Sequence, residues 1–398
     1  MSHVPVAAQP DGGTSAVVDF ARVDAVAAAV ARLLPPSVAP LFDRRFTRSD
    51  VLFDEYVHRL TLQVFAECGL DRALGQWSTP GDVAACCGLD PPSSAVPLDW
   101  MLRHLAGRGV LAADAGRFRA GHAVAVPDPA PVLAEQRRHD ATCLPSYALA
   151  ETVAQGYPAF LHGERSGEEI LFAPRRLALW TSYFSADNPL YAVNNGVGAA
   201  AVEAWMPAGG GTLLELGGGL GSGALALLDR LRTSGRGGDI REYRFTEVVP
   251  AFLRRGERLL RERMPEAAFL TTAALDMDRP FGAQGVAPGS VSVVYAVNTL
   301  HVARDLAFTL AEIRSALQQG GRLVFSECIR PRAGQTIYPE FTFNLMQTFR
   351  ARGFLTPEQW SAALDDAGFA GITFLPDIAR IREVFPGFYA AAIGATRD

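Results

Sequence analysis

Leu213-Leu-Glu-Leu-Gly-Gly-Gly-Leu-Gly-Ser-Gly223 runs from an apolar stretch into a glycine-rich turn and on into a helical pattern. Gly217, Gly219 and Gly221 stand at G-x-G-x-G spacing. A residue without a Cβ lets the chain turn sharply and come close to a ligand. The N-terminus of the following helix adds free N–H donors. Dinucleotide enzymes use G-x-G-x-x-G to hold a pyrophosphate, but here the sixth position of that register is Ser222. Glu215, two residues before the first glycine, would repel a pyrophosphate and suits a ligand that presents an ammonium, as methionine does.

From Thr212 the text alternates between strand and helix patterns: Thr212–Leu216, Ala224–Leu231, Glu242–Glu247, Pro250–Arg263, Ala268–Thr271, Val291–Val297, Leu306–Leu317 and Arg322–Glu327. Such alternation implies a parallel sheet covered by helices, and ligands of open α/β sheets bind at the carboxyl edge of the strands. Three acids fall at that edge. Glu215 ends the first strand. Glu247 ends the second, where a carboxylate can take both hydroxyls of a ribose. Asp276 follows the third and can accept from an adenine amino group, with Met277 beside it to pack on the ring. Together with the glycine turn they indicate an S-adenosyl ligand, S-adenosyl-L-methionine with S-adenosyl-L-homocysteine as product. The expected fold is α/β, a Rossmann-like class I methyltransferase sheet of seven mostly parallel strands, preceded by an α-helical, winged-helix-like region.

That N-terminal region reads as helix, short helix, helix and hairpin: Asp54 to Cys68, Ser78-Thr79-Pro80 opening Asp82 to Cys87, Leu98 to Gly107, then Gly109–Leu111 against Arg117–Arg119. A winged helix can bind DNA, yet its recognition helix offers only Arg103 and His104, with Arg108 just beyond. A dimerisation or substrate-capping role fits better. The expected division is a tail and helix at 1–48, a winged-helix-like module at 49–127, a helical, aromatic-rich lid at 128–205 and the cofactor-binding domain at 206–398. Residues 1 to about 15 read as a disordered tail.

The 398 residues are 49% hydrophobic and 20% charged, with a formal net charge of −5. That mild acidity argues against nucleic acid as a partner. No lysine occurs, so all 37 basic residues are arginines, which removes Schiff-base chemistry on lysine. The five cysteines show no metal-ligand spacing, as expected of buried thiols in a reducing compartment. No signal peptide or membrane-spanning run is visible, so the expectation is a soluble cytoplasmic chain, without metal and as a possible homodimer.

Val291-Ser-Val-Val-Tyr-Ala-Val-Asn-Thr-Leu-His301 and Gly321-Arg-Leu-Val-Phe-Ser-Glu327 end in the two catalytic candidates. In the class I strand order these strands are neighbours, so His301 and Glu327 emerge side by side at the cofactor edge. A carboxylate on one imidazole nitrogen fixes the tautomer and supports the other nitrogen as a base. Asn298 is a candidate for positioning substrate or methionine, and Tyr183 and Tyr191 for closing over the site.

Leu300-His-Val-Ala-Arg-Asp-Leu306 and Arg322-Leu-Val-Phe-Ser-Glu327 resemble the C-methyltransferase domains embedded in polyketide synthases. The likeness continues in Phe160-Leu-His-Gly163, Ile170-Leu-Phe-Ala-Pro174, Asn188-Pro-Leu-Tyr-Ala-Val-Asn194, Tyr243 to Phe252 and Phe341-Thr-Phe-Asn-Leu345, across roughly residues 157 to 370. The resemblance implies a His301/Glu327 dyad that methylates an activated α-carbon, such as that of a 1,3-dicarbonyl or polyketide-like substrate, free or bound to a carrier protein. Two other chemistries share such a site: O-methylation of a phenol or enol, and a cyclisation or rearrangement without methyl transfer.

Overall fold

The computed structural model describes residues 17–207 and 209–398; the tail expected to be disordered lies outside them. Helices Phe20–Ala31, Arg44–Glu67, Pro80–Cys87 and Pro91–Gly107 open the chain. Each begins where a side chain takes up free N–H groups of the first turn. Asp19 accepts from Arg22, Asp43 from Phe46 and Asp90 from Ser93, while Thr79 and Asp82 cap each other reciprocally. The second helix starts well ahead of the expected Asp54, because its first turns bury Thr47, Ser49 and Asp50. Those polar residues interrupt the apolar stripe by which a helix is recognised.

The winged-helix order is present. Ala112–Asp114 pairs with Arg117–Arg119, and Ser78 bridges to Phe118. The first arm lies later than Gly109–Leu111 because the turn is made by Ala115 and Gly116, both at positive φ. In Pro91–Gly107, His104 is buried beneath the Trp100 ring, and that indole donates to Glu340. This face of the helix is turned to the chain's own packing. Helices Ala130–His139, Leu144–Leu161, Gly167–Leu171, Leu177–Tyr183 and Pro189–Trp205 then lead to the sheet.

The sheet consists of β1 (Gly211–Leu216), β2 (Ile240–Thr246), β3 (Leu270–Ala273), β4 (Val291–Val297), β5 (Leu317–Cys328), β6 (Ala370–Leu375) and β7 (Ala390–Thr396). Their spatial order is β3-β2-β1-β4-β5-β7-β6, with β1 to β5 parallel and β7 antiparallel to both its neighbours. β1 and β4 are buried along their whole length, as central parallel strands covered on both faces must be. β6 and β7 lie beyond the strands read from the sequence; β6 holds Ile372-Thr-Phe374, which are strand formers, but β7 carries no strand pattern. Ala390-Ala-Ala-Ile-Gly-Ala-Thr396 is poor in β-formers because a helix lies directly on it. A Cβ at Gly394 would stand 2.5 Å from the Trp205 ring. No helix among the described residues is long and apolar enough to cross a membrane.

Helix Pro250–Arg263 crosses the glycine turn at its own glycine. A Cβ on Gly256 would stand 2.5 Å from the Phe245 ring and 3.1 Å from the Gly219 carbonyl oxygen. Alanine is the better helix former by about 1 kcal/mol, but overpacking of this kind costs roughly 1–3 kcal/mol. Gly256→Ala should therefore lower the midpoint of chemical denaturation; a stabilised variant would show that the helix is free to move away from the turn.

Candidate active site

A cavity of about 520 Å³ opens at the carboxyl edge of the sheet, lined by Leu216, Gly217, Val297 and Cys328 from the ends of β1, β4 and β5 and by Glu247 beyond β2. Gly217 and Gly219 both have positive φ, and a Cβ added to Gly219 would meet nothing within 4 Å. The backbone there forms a cradle open to the cavity. Glu247 is tied to it: Oε2 accepts from Gly219 N at 2.9 Å and Oε1 from Val249 N at 2.8 Å. Each oxygen keeps a further lone pair for a ligand diol. Asp276 and Met277 line the same cavity, and Asp276 is fixed by accepting from Asp278 N at 3.0 Å. This set fits S-adenosylmethionine: Glu247 would hold the ribose, Asp276 and Met277 the adenine, and the glycine backbone would lie against the amino-acid end.

Two of the expected cofactor residues are placed elsewhere. Glu215 does not line the cavity. It points beneath the turn, where Oε2 accepts from the Tyr243 hydroxyl at 2.9 Å, and burial pushes its carboxyl up to about 8. A ligand ammonium on the cavity side is therefore not met by this side chain directly. Gly221, with φ +87°, caps helix Ser222–Thr233, and its Cβ would stand 3.3 Å from Gly256. It allows the close contact between these two helices. Asn195, buried with both amide atoms unpartnered, lies near Gly223 beside Glu215.

The dyad is assembled by strand pairing. Val297 lies opposite Ser326, so the residues that leave β4 pass beside Glu327. Asn298 donates to Ser326 O and adopts φ +49°, a left-handed conformation that asparagine tolerates better than most residues. After this bend the N–H groups of Thr299, Leu300 and His301 all point at Glu327 Oε1, at 3.1, 2.9 and 3.4 Å. Oε2 meets His301 Nδ1 at 2.6 Å. Both side chains are buried, and the imidazole is flanked by Phe349 and Phe354. With Nδ1 engaged, Nε2 is the nitrogen left to accept a proton. The Asn298 side chain lines the cavity and accepts from Asn194 at 3.2 Å, so it holds the bend as well as facing the ligand space.

Tyr183 and Tyr191 lie in an aromatic cover of the cavity. Their ring centroids are 5.4 Å apart, and Phe184 reaches Tyr191 at 5.1 Å and Phe252 at 6.2 Å. Burial pushes the Tyr191 phenol up to about 12, so it faces the cavity as a neutral hydroxyl. Asp50, Tyr338 and Tyr389 had no signal in the sequence. They come together from distant segments through buried hydroxyl contacts, and no local spacing announces that.

Residues 214–323 match a family model described as a methyltransferase domain. Among curated proteins, the polyketide synthase PksM of Bacillus subtilis is 27% identical over 248 residues, 58% of this chain and 6% of that protein. The chain therefore spans a small part of the length of the curated relatives it matches. Among solved structures, the CurJ carbon methyltransferase superposes with a TM-score of 0.71 at 22% identity, over 95% of this chain and 98% of the other. The DszA carbon methyltransferase gives 0.68 at 21%, over 93% and 96%. At these identities the likeness is one of fold.

Two outcomes follow for this site. S-adenosylhomocysteine should raise the melting temperature of the chain by mass action, and Gly219→Val or Glu247→Ala should abolish that shift. Variants that still respond like the parent would move the cofactor elsewhere. For Glu215, the folded-state value of about 8 lies above that of an unfolded glutamate. The folded chain then holds the extra proton, and stability falls as pH rises from about 5 to about 8. Glu215→Gln lacks this loss, so its melting temperature relative to the parent should increase across that window. A constant difference would mean that the carboxyl titrates normally.

Proposed function

We propose that this chain, which carries a class I methyltransferase fold and a methyltransferase domain, methylates an activated carbon of a polyketide-like acceptor with His301 as the general base. The observation that carries this reading is the 2.6 Å contact of His301 Nδ1 with Glu327 at the wall of the cofactor-sized cavity. S-adenosylmethionine, when bound, supplies an electrophilic methyl group. A carbon nucleophile must first lose a proton, which requires an acidic C–H flanked by carbonyl groups. His301 Nε2 would take that proton, the freed carbon electron pair would bond the methyl group as the methyl–sulfur bond breaks and its electrons stay with S-adenosylhomocysteine, and Glu327 would hold the imidazolium until the proton passes to solvent. The aromatic cover excludes water while the reactants are held together, an arrangement for which model reactions allow ~7–11 kcal/mol. The match to synthase proteins supports a polyketide-like acceptor, free or borne on a carrier protein.

Replacing Glu327 by glutamine tests the base. An amide keeps the shape, but its NH2 would face Nδ1 and force the opposite tautomer, with the proton on Nε2. Glu327→Gln and His301→Ala should each lower methylation by roughly 10²–10⁴-fold, with affinity for S-adenosylhomocysteine nearly unchanged. Both should also slow deuterium exchange at the α-carbon of a 1,3-dicarbonyl in the presence of S-adenosylhomocysteine. Variants that lose the cofactor but exchange at the parent's rate would make the histidine structural.

A further inference from the structure

We propose that Tyr338 and Tyr389, backed by Asp50, form a subsite that binds a carbonyl or enolate oxygen of the acceptor; this rests on the reading of the acceptor as an oxygenated carbon acid. Both tyrosines are buried and both line the cavity that His301 lines. The Tyr338 hydroxyl donates to Asp50 Oδ1 at 2.7 Å and lies 2.5 Å from the Tyr389 hydroxyl. The position follows from topology. β7 runs against its neighbours, so it begins at the edge where the parallel strands finish. Ala390 pairs with Cys328, and Ile329 N donates to Tyr389 O at 2.7 Å. Tyr389 is thus held at the strand end next to that of Glu327, with adjacent strands about 4.8 Å apart.

Phe53, Phe343, Met346, Phe349 and Phe354 also wall this cavity. Hydroxyls and a carboxyl buried among such groups are costly unless they are bonded. The three groups form a chain whose direction depends on one proton. When Asp50 is ionised, both hydroxyls donate towards it and Tyr389 offers a lone pair to the cavity. When Asp50 holds a proton, the chain reverses and Tyr389 can donate to a ligand oxygen, as an enolate requires. Burial, with Asp54 nearby, pushes the Asp50 carboxyl up to about 7, so both directions are open near neutrality. Asp50 and Tyr338 also line a second cavity of about 290 Å³.

The probes are benzoylacetone, an aryl 1,3-dicarbonyl, and n-butylbenzene, of similar length and without oxygen. Each is titrated calorimetrically into the full chain with S-adenosylhomocysteine present. Tyr389→Phe and Tyr338→Phe should each weaken benzoylacetone about tenfold or more, the worth of one good hydrogen bond to a polar ligand. Affinity for n-butylbenzene should stay within about twofold, since the rings remain. Unchanged affinity for benzoylacetone, or equal loss of both probes, overturns the subsite. Tyrosine-dependent binding without α-exchange would strike the assignment of His301 as base and leave the subsite standing; exchange without tyrosine dependence would do the reverse.

Discussion

Glu327 lies in the interior at the end of a central strand, and its two oxygens take the imidazole of His301 and three successive backbone N–H groups. A carboxylate removed from water is costly unless donors share its charge. Here the donors also set geometry, because the amides that hold Oε1 belong to the turn that carries the histidine. Imidazole, turn and carboxylate are therefore one unit, and it exists only in one register of β4 against β5. A slip of a single residue would send Glu327 to the opposite face of the sheet. The buried lengths of β4 and β5, the left-handed Asn298 and the aromatic rings around His301 all act to keep that register and close the unit from water.

The other buried acids of the sheet edge show what happens with fewer donors. Glu247 is held in place by two backbone N–H groups at the glycine turn. Glu215 has the Tyr243 hydroxyl, and burial wins, so its carboxyl is pushed up. Asp50 stands between these cases with its pair of tyrosines. The number and kind of donors around each buried carboxyl thus differ from Glu327 to Glu247, Glu215 and Asp50.

Much of this was legible in the sequence, for stated physical reasons. Val291–Val297 and Pro250–Arg263 have the same bounds in the text and in the structure. The first is a continuous apolar run that only a central strand can bury. The second is strongly amphipathic, with a proline opening and a basic end. His301 and Glu327 were legible because parallel topology turns two strand ends into neighbours. That Glu215 turns beneath the glycine turn to Tyr243 was not legible, because its position in the motif does not reveal which side of the turn it faces. β7 was silent because close packing demanded alanine and glycine where a strand would normally show branched residues. The Asp50, Tyr338 and Tyr389 cluster was silent because its members lie on a helix, a loop and the residue before β7, with no spacing to link them.

In the proposed reaction an oriented imidazole prepares a carbon, not an oxygen, to receive the methyl group. This is tested most directly by incubating the chain with S-adenosylmethionine labelled in its methyl carbon and a 1,3-dicarbonyl acceptor, then locating the label by NMR. A base acting on carbon gives a new methyl on the carbon between the two carbonyls, coupled to the single proton that remains there. A label found as a methoxy group, or an acceptor rearranged without label, would contradict it.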